Sequence, residues 1–198
     1  MMKGFRSGPL GSLEFWGINT LPHRLFHKYV QFPIFRGLLK KQGLDLTGAS
    51  ILDAGCGSGY EAELILREFE PRKMVAFDFS PQQILIAHQR NDRLKLGIEF
   101  FEGDLTQLQL PDCKFDAVVA VNMLHHVSDW QQALAEAARV LKPQGVLLMN
   151  ELSHAWSGWD ELIDGLESAG FVVLAGKKYL LGLFQSFLCR KETGVAEA

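Results

Sequence analysis

Ile51-Leu52-Asp53-Ala54-Gly55-Cys56-Gly57-Ser58-Gly59-Tyr60 is the stretch on which the fold turns. The apolar run from Ala49 to Asp53 reads as a buried strand, and three alternate glycines follow it directly. Glycines leave the backbone of a strand-to-helix turn bare, so a ligand can approach its peptide groups closely. A pyrophosphate-binding turn calls for G-x-G-x-x-G, which seats the anion on the helix N-terminus. Here the spacing is G-x-G-x-G, with Tyr60 after the last glycine and the acid Asp53 two residues before the first. A carboxylate at that place repels a pyrophosphate and attracts an ammonium or sulfonium centre.

Working outward, apolar runs alternate with helical patterns. A helix is expected from about Gly59 to Phe69, then a strand over Lys73–Asp78 that ends in an acid. Ser80-Pro81 supplies a cap and a proline at the first helical position, opening a helix to about Asn91. Strands follow at 97–101 and 115–121, the second almost wholly apolar, as suits a central strand covered on both faces. A helix capped by Ser128 or Asp129 runs to Pro143-Gln144-Gly145, and Val146–Met149 forms a fifth strand. After a helix over about 158–169, the runs 171–174 and 184–189 have no helix between them and are expected to pair as an antiparallel hairpin. Strands alternating with helices in this way give an α/β, doubly wound three-layer sandwich with a mostly parallel sheet.

Composition limits the function classes. The chain has 198 residues, 47% hydrophobic and 22% charged, enough to bury the core of one domain. A net charge of −3 argues against a dedicated nucleic-acid binder. No apolar run reaches the roughly 18 to 20 residues of a transmembrane segment, and no signal peptide opens the chain. Cys56, Cys113 and Cys189 have neither disulfide-framework nor zinc-ligand spacing, so a reduced, cytoplasmic location is expected. Charge is uneven: residues 1–44 hold seven Lys or Arg against Glu14 alone, interleaved with aromatics, while 45–198 hold thirteen against twenty-two acids. Residues 1–44 therefore read as a basic cap of two short helices, 21–30 and 33–42, on an acidic domain over 45–190. Residues 1–12 and a tail at 191–198 are expected to lack order. The cap's charge and aromatics also permit a hydrophobic substrate and peripheral contact with a membrane surface.

Further acids fall at strand ends. Asp78 lies 25 residues after Asp53, where a carboxylate suits the two hydroxyls of a ribose, and Phe79 beside it suits an adenine face. Asp104-Leu105 follows the third strand, where a short acid can accept an exocyclic amine.

In these motifs the chain resembles the class I S-adenosylmethionine-dependent methyltransferases, most closely the type 11 group. The resemblance rests on D-A-G-C-G-S-G, V-A-F-D-F-S-P, F-E-G-D-L, F-D-A-V-V-A-V-N-M-L-H-H-V and A-R-V-L-K-P-Q-G-V-L-L, in order, over about residues 46–190. It implies a seven-stranded sheet of order 3-2-1-4-5-7-6 with strand 7 antiparallel, and S-adenosylmethionine as the cofactor. Carried over by position, Gly55, Cys56, Gly57 and Gly59 would wrap the methionine part and Asp53 would face its ammonium. Asp78 would hold the ribose, Asp104 the adenine amine, Leu105 the adenine pocket, and Asn122 a further cofactor contact. The acceptor is not implied. A small molecule is expected; a protein or RNA methyltransferase and a non-catalytic cofactor-binding protein are the alternatives.

His125 is the candidate general base, since an acceptor that must lose a proton is usually helped by histidine near neutral pH. No metal is expected. His23 and His27 stand one helical turn apart without an apparent third ligand, as on a helix surface. Trp156 and Trp159 either line the acceptor pocket or pin a helix. Removing residues 1–44 is expected to leave a folded core.

Overall fold

The computed structural model describes residues 20–192. Two expectations for the termini, disorder at 1–12 and in most of the tail, lie outside those residues. Seven strands form one sheet: β1 (Ser50–Ala54), β2 (Lys73–Asp78), β3 (Glu99–Glu102), β4 (Phe115–Val121), β5 (Leu141–Leu152), β6 (Phe171–Tyr179) and β7 (Phe184–Lys191). Their spatial order is β3-β2-β1-β4-β5-β7-β6, with β7 antiparallel to both β5 and β6. The other pairings are parallel, including β1 with β4, where Ile51 to Ala54 face Ala117 to Ala120. Both expectations, sheet order and antiparallel hairpin, hold.

β1 is buried at every residue because helices cover the sheet on both sides. One side packs α1 (Leu21–Phe26), a π-helical turn (His27–Gln31), α2 (Phe32–Lys41), α3 (Tyr60–Phe69) and α4 (Pro81–Leu94). The other packs α5 (Trp130–Val140) and α6 (Trp159–Ser168). Two apolar clusters result, one around Ile51, Ile65 and Phe100, the other around Leu52, Phe77, Leu134 and Phe187. Trp159 lies against Phe187 and Trp130 against both Trp156 and the bare backbone of Gly165. Trp159 thus pins α6 onto β7, while Trp156 packs on Trp130 of α5.

Three local readings change. The cap is one continuous helical run, not two helices, and the π turn explains why. Pro33 has no N–H to give to the carbonyl of Tyr29. The ladder instead shifts to an i→i−5 bond, Phe32 N–H to His27 O. Second, β5 starts five residues early, at Leu141. Pro143-Gln144-Gly145 forms a bulge between the pairs Phe115–Leu141 and Ala117–Val146, with Gln144 at φ 63°. Third, Lys191, read as tail, ends β7, where its ammonium donates to Leu141 O.

α2 is not an appendage. Phe32 and Phe35 are wholly buried, and Leu38 and Leu39 nearly so, in the first apolar cluster. Cutting the chain at 44 would remove four core side chains, so the remainder is expected to lose its fold rather than keep it. Large-to-small changes of single core residues of this kind cost about 2–5 kcal/mol each.

Candidate active site

The site gathers at the carboxyl ends of β1, β2, β4 and β5, where strand order reverses between β1 and β4. After β1 the chain turns through Gly55, Gly57 and Gly59, all in the left-handed region with φ of 75°, 51° and 76°. A side chain at Gly55 would lie 2.8 Å from Met123 Cβ, so the turn packs tightly on the loop after β4. At Gly57 a Cβ would meet nothing within 4 Å: there the bare backbone faces open space. The turn is tied to β2, with Gly55 N–H and Cys56 N–H both donating to Phe77 O. Cys56 is fully buried, and burial pushes its thiol up, so it packs rather than reacts.

Asp78 is oriented by the backbone. Gly57 N–H donates to its Oδ2 at 2.9 Å and Ser80 N–H to its Oδ1 at 2.8 Å. A carboxylate has about four acceptor positions, so both oxygens keep capacity for a diol. Burial raises its pKa, and the two amide hydrogen bonds offset part of that rise. Phe79 is half-buried beside it. Asp104 accepts from the N–H and hydroxyl of Thr106 through one oxygen, Oδ1. Leu105 is almost fully buried and belongs to the apolar cluster beneath.

Asp53 is the most strained electrostatically. It is 1% exposed, and its Oδ2 has no hydrogen-bond partner. Burial, with the charges of Glu61 and Asp78 added, holds its carboxyl well above the ordinary range. A bound cation would relieve all three effects. Together with the open backbone at Gly57 and the oriented Asp78, this orphaned carboxylate fits the donor set that S-adenosylmethionine needs.

The loop after β4 carries the candidate base. His125 lies in a short 3-10 turn, Leu124–His126, and its Nδ1 is 2.6 Å from Glu151 Oε2. Glu151 is completely buried near the end of β5, and its other oxygen accepts from Leu124 N–H at 2.9 Å. The carboxylate thus fixes both the turn and the roles of the two imidazole nitrogens: with Nδ1 engaged by Glu151, Nε2 is the nitrogen left to accept a proton. Asn122, at φ 49°, directs its side-chain carbonyl to Asn150 Nδ2 at 2.7 Å. Asn150 is fully buried and also accepts from Tyr179 and Ser186. Asn122 N–H donates to Asn150 O at 2.8 Å, so Asn122 keeps its backbone carbonyl and side-chain NH2 for a ligand.

Sequence reading missed Glu151, Asn150 and Glu61. The signal for the first two was a polar pair ending an apolar strand. His23 and His27 also need correction: they do not lie on the surface. His27 is 2% exposed, and its Nδ1 is 2.9 Å from Glu61 Oε1 in the first turn of α3. Burial, then the neighbouring His27, lowers the His23 pKa to about 4. The cap spans the site, because Tyr60 OH donates to Arg24 O and Phe26 stacks on Tyr179 and packs at a tilt on Phe184 of the β6–β7 hairpin.

Comparison with known proteins agrees with this geometry. Residues 52–149 match the methyltransferase domain family. A fatty-acid O-methyltransferase of Mycolicibacterium smegmatis is 35% identical over 107 residues, 54% of this chain and 38% of that protein. A demethylmenaquinone methyltransferase of Deinococcus radiodurans is 38% identical over 109 residues, 54% of this chain and 45% of that one. The chain spans less than half the length of these two relatives. In fold, it superposes on an S-adenosylmethionine-dependent methyltransferase from Aquifex aeolicus with a TM-score of 0.75 at 18% identity, covering 90% of this chain and 96% of that chain. By matched domain, sheet order and glycine turn, the chain belongs to the class I S-adenosylmethionine-dependent methyltransferases.

Proposed function

We propose that this protein transfers a methyl group from S-adenosylmethionine to a small acceptor with a large apolar body, delivered from a lipid surface. The observation that carries the acceptor class is an exposed apolar rim beside the cap. Leu180, Leu181 and Leu183 at the β6–β7 turn are 50%, 106% and 54% exposed. Leu21, Leu25 and Tyr29 of the helical cap are exposed too, and Phe26 bridges the two groups through Tyr179 and Phe184. Lys28, Lys177 and Lys178 are also exposed on these elements. Apolar tips ringed by lysines suit an interface with anionic headgroups. The acceptors named for the two relatives, a fatty acid and demethylmenaquinone, support the same class. Among the described residues no helix is long and apolar enough to cross a membrane.

The bound sulfonium supplies an activated methyl group. What the protein's residues supply is alignment and a proton acceptor. The glycine turn and Asp78 hold the donor, and the cap and the β4 loop exclude water and aim the acceptor. His125, oriented by Glu151, removes the acceptor's proton through Nε2 where the nucleophile is a hydroxyl. The test is transfer of labelled methyl to acceptors presented in anionic mixed micelles: a long-chain fatty acid, an isoprenoid hydroquinone, and water-soluble carboxylic acids and phenols. Label in the apolar acceptors alone supports the reading; label confined to the water-soluble set overturns it.

A further inference from the structure

Beneath the cap, His23, His27 and Glu61 offer ligand atoms that all lie within 4.8 Å of one another. The two imidazoles come from successive turns of one helix, and the carboxylate from the first turn of α3, two residues past the glycine turn. Their surroundings do not satisfy them. His23 Nδ1 and both ring nitrogens of His27 are buried without a hydrogen-bond partner. His27 Nδ1 is near Glu61 Oε1 at 2.9 Å, yet without the alignment of a hydrogen bond. The side chain of Gln31, one turn further along the same face, is wholly buried and unpartnered at both polar atoms. Leaving such groups buried and unpaired is costly, so the arrangement implies an occupant.

From these residues we infer that His23, His27 and Glu61 form a zinc(II) site that clamps the cap onto the glycine-turn helix. Two neutral imidazoles and one carboxylate are the His₂Glu donor set of zinc centres with an open fourth position. The pair of histidines at i and i+4 presents both rings on one helix face, tilted at 39° with centroids 4.0 Å apart. The π turn begins at His27, and π turns gather at functional sites because they re-aim side chains. A dication here also offsets the repulsion among Glu61, Asp53 and Asp78, three acids crowded at the base of the cofactor site. Its role is to hold the cap closed over that site, so the inference rests on no particular acceptor.

The experiment uses the full chain, stripped with a chelator and titrated with zinc(II) and cobalt(II) chloride, without substrate. The expected result is about one equivalent of zinc bound per chain, a rise in Tm, and visible cobalt(II) bands of low-symmetry, four-coordinate type. His23→Asn and Glu61→Gln, checked for native fold by circular dichroism, should each weaken binding about 100-fold or more and abolish the cobalt bands. No stoichiometric binding, or binding unchanged in both variants, would overturn the site. So would loss of S-adenosylmethionine affinity in the variants with no metal bound by the parent, which would place the imidazoles on the cofactor instead. Because metal binding is read without methyl transfer, its failure is distinct from failure of the proposed function.

Discussion

His125 Nδ1 stands 2.6 Å from Oε2 of Glu151, a carboxylate with no solvent exposure at all. The pair spans the loop after β4 and the end of β5, so one carboxylate orients the proposed base and, through Leu124 N–H, the turn that bears it. Glu151→Gln is expected to lower kcat by about 10- to 100-fold, with little change in S-adenosylmethionine affinity, because the amide cannot stabilise the imidazolium. His125→Gln should cost about 10²- to 10⁴-fold in transfer to a hydroxyl acceptor. Steady-state kinetics alongside calorimetric cofactor titration separates the two parameters. An affinity loss matching the rate loss in either variant would make the pair scaffolding.

Asp53 sets stability against function. Its folded-state pKa lies above the unfolded value of 3.8, so the native chain holds that proton more tightly than the unfolded one. Stability is therefore lost as pH rises from 3.8 through the native pKa. Asp53→Asn removes the buried charge, so the cofactor-free variant should melt higher than wild type at neutral pH and equally below about pH 3.8. The same variant should bind S-adenosylmethionine more weakly. In the wild type, a cationic ligand favours the ionised carboxyl, so binding should release protons and strengthen as pH rises through the raised pKa. Calorimetry in buffers of different ionisation enthalpy checks the proton count.

Much of this was legible beforehand. The strands, the closing hairpin, the glycine turn and the strand-end acids follow from local patterns: apolar runs, alternate glycines, carboxylates at fixed offsets; the sheet order followed only from the family resemblance those motifs carry. What escaped was set by tertiary contact. Nothing local to Glu151 or Glu61 announces that each will meet a histidine 26 or 34 residues away in sequence. Pro33 reads as a helix start, and only packing of Phe32 and Phe35 into the core keeps the helix running through it as a π turn. The burial of α2 was hidden for the same reason, because its basic residues Arg36, Lys40 and Lys41 mask an apolar face.

Truncation tests that last point. A chain starting at residue 32 retains Phe32, Phe35, Leu38 and Leu39 in the core and should fold, though with slowed transfer. A chain starting at residue 45 should fail to fold cooperatively. Thermal unfolding of both, followed by circular dichroism, gives the answer; a cooperative transition near the parent Tm for the shorter chain would refute the assignment of α2 to the core.

At the hairpin, Leu181→Asp places a charge on the most exposed apolar side chain. Transfer to a micelle-presented acceptor should fall several-fold through KM, while the rate on the same acceptor monomerically dispersed stays constant. Equal rates in both formats would disconnect the hairpin from the lipid surface.

The turn of Gly55, Gly57 and Gly59, flanked by Asp53 and Asp78, is the proposed S-adenosylmethionine site. Isothermal titration of the full chain with S-adenosylmethionine, its demethylated product and NAD tests it most directly. Saturable binding of the first two and none of NAD is expected. Asp78→Ala should weaken binding by roughly 1.5–3 kcal/mol per charged hydrogen bond lost. Tight NAD binding with no heat from S-adenosylmethionine would contradict it.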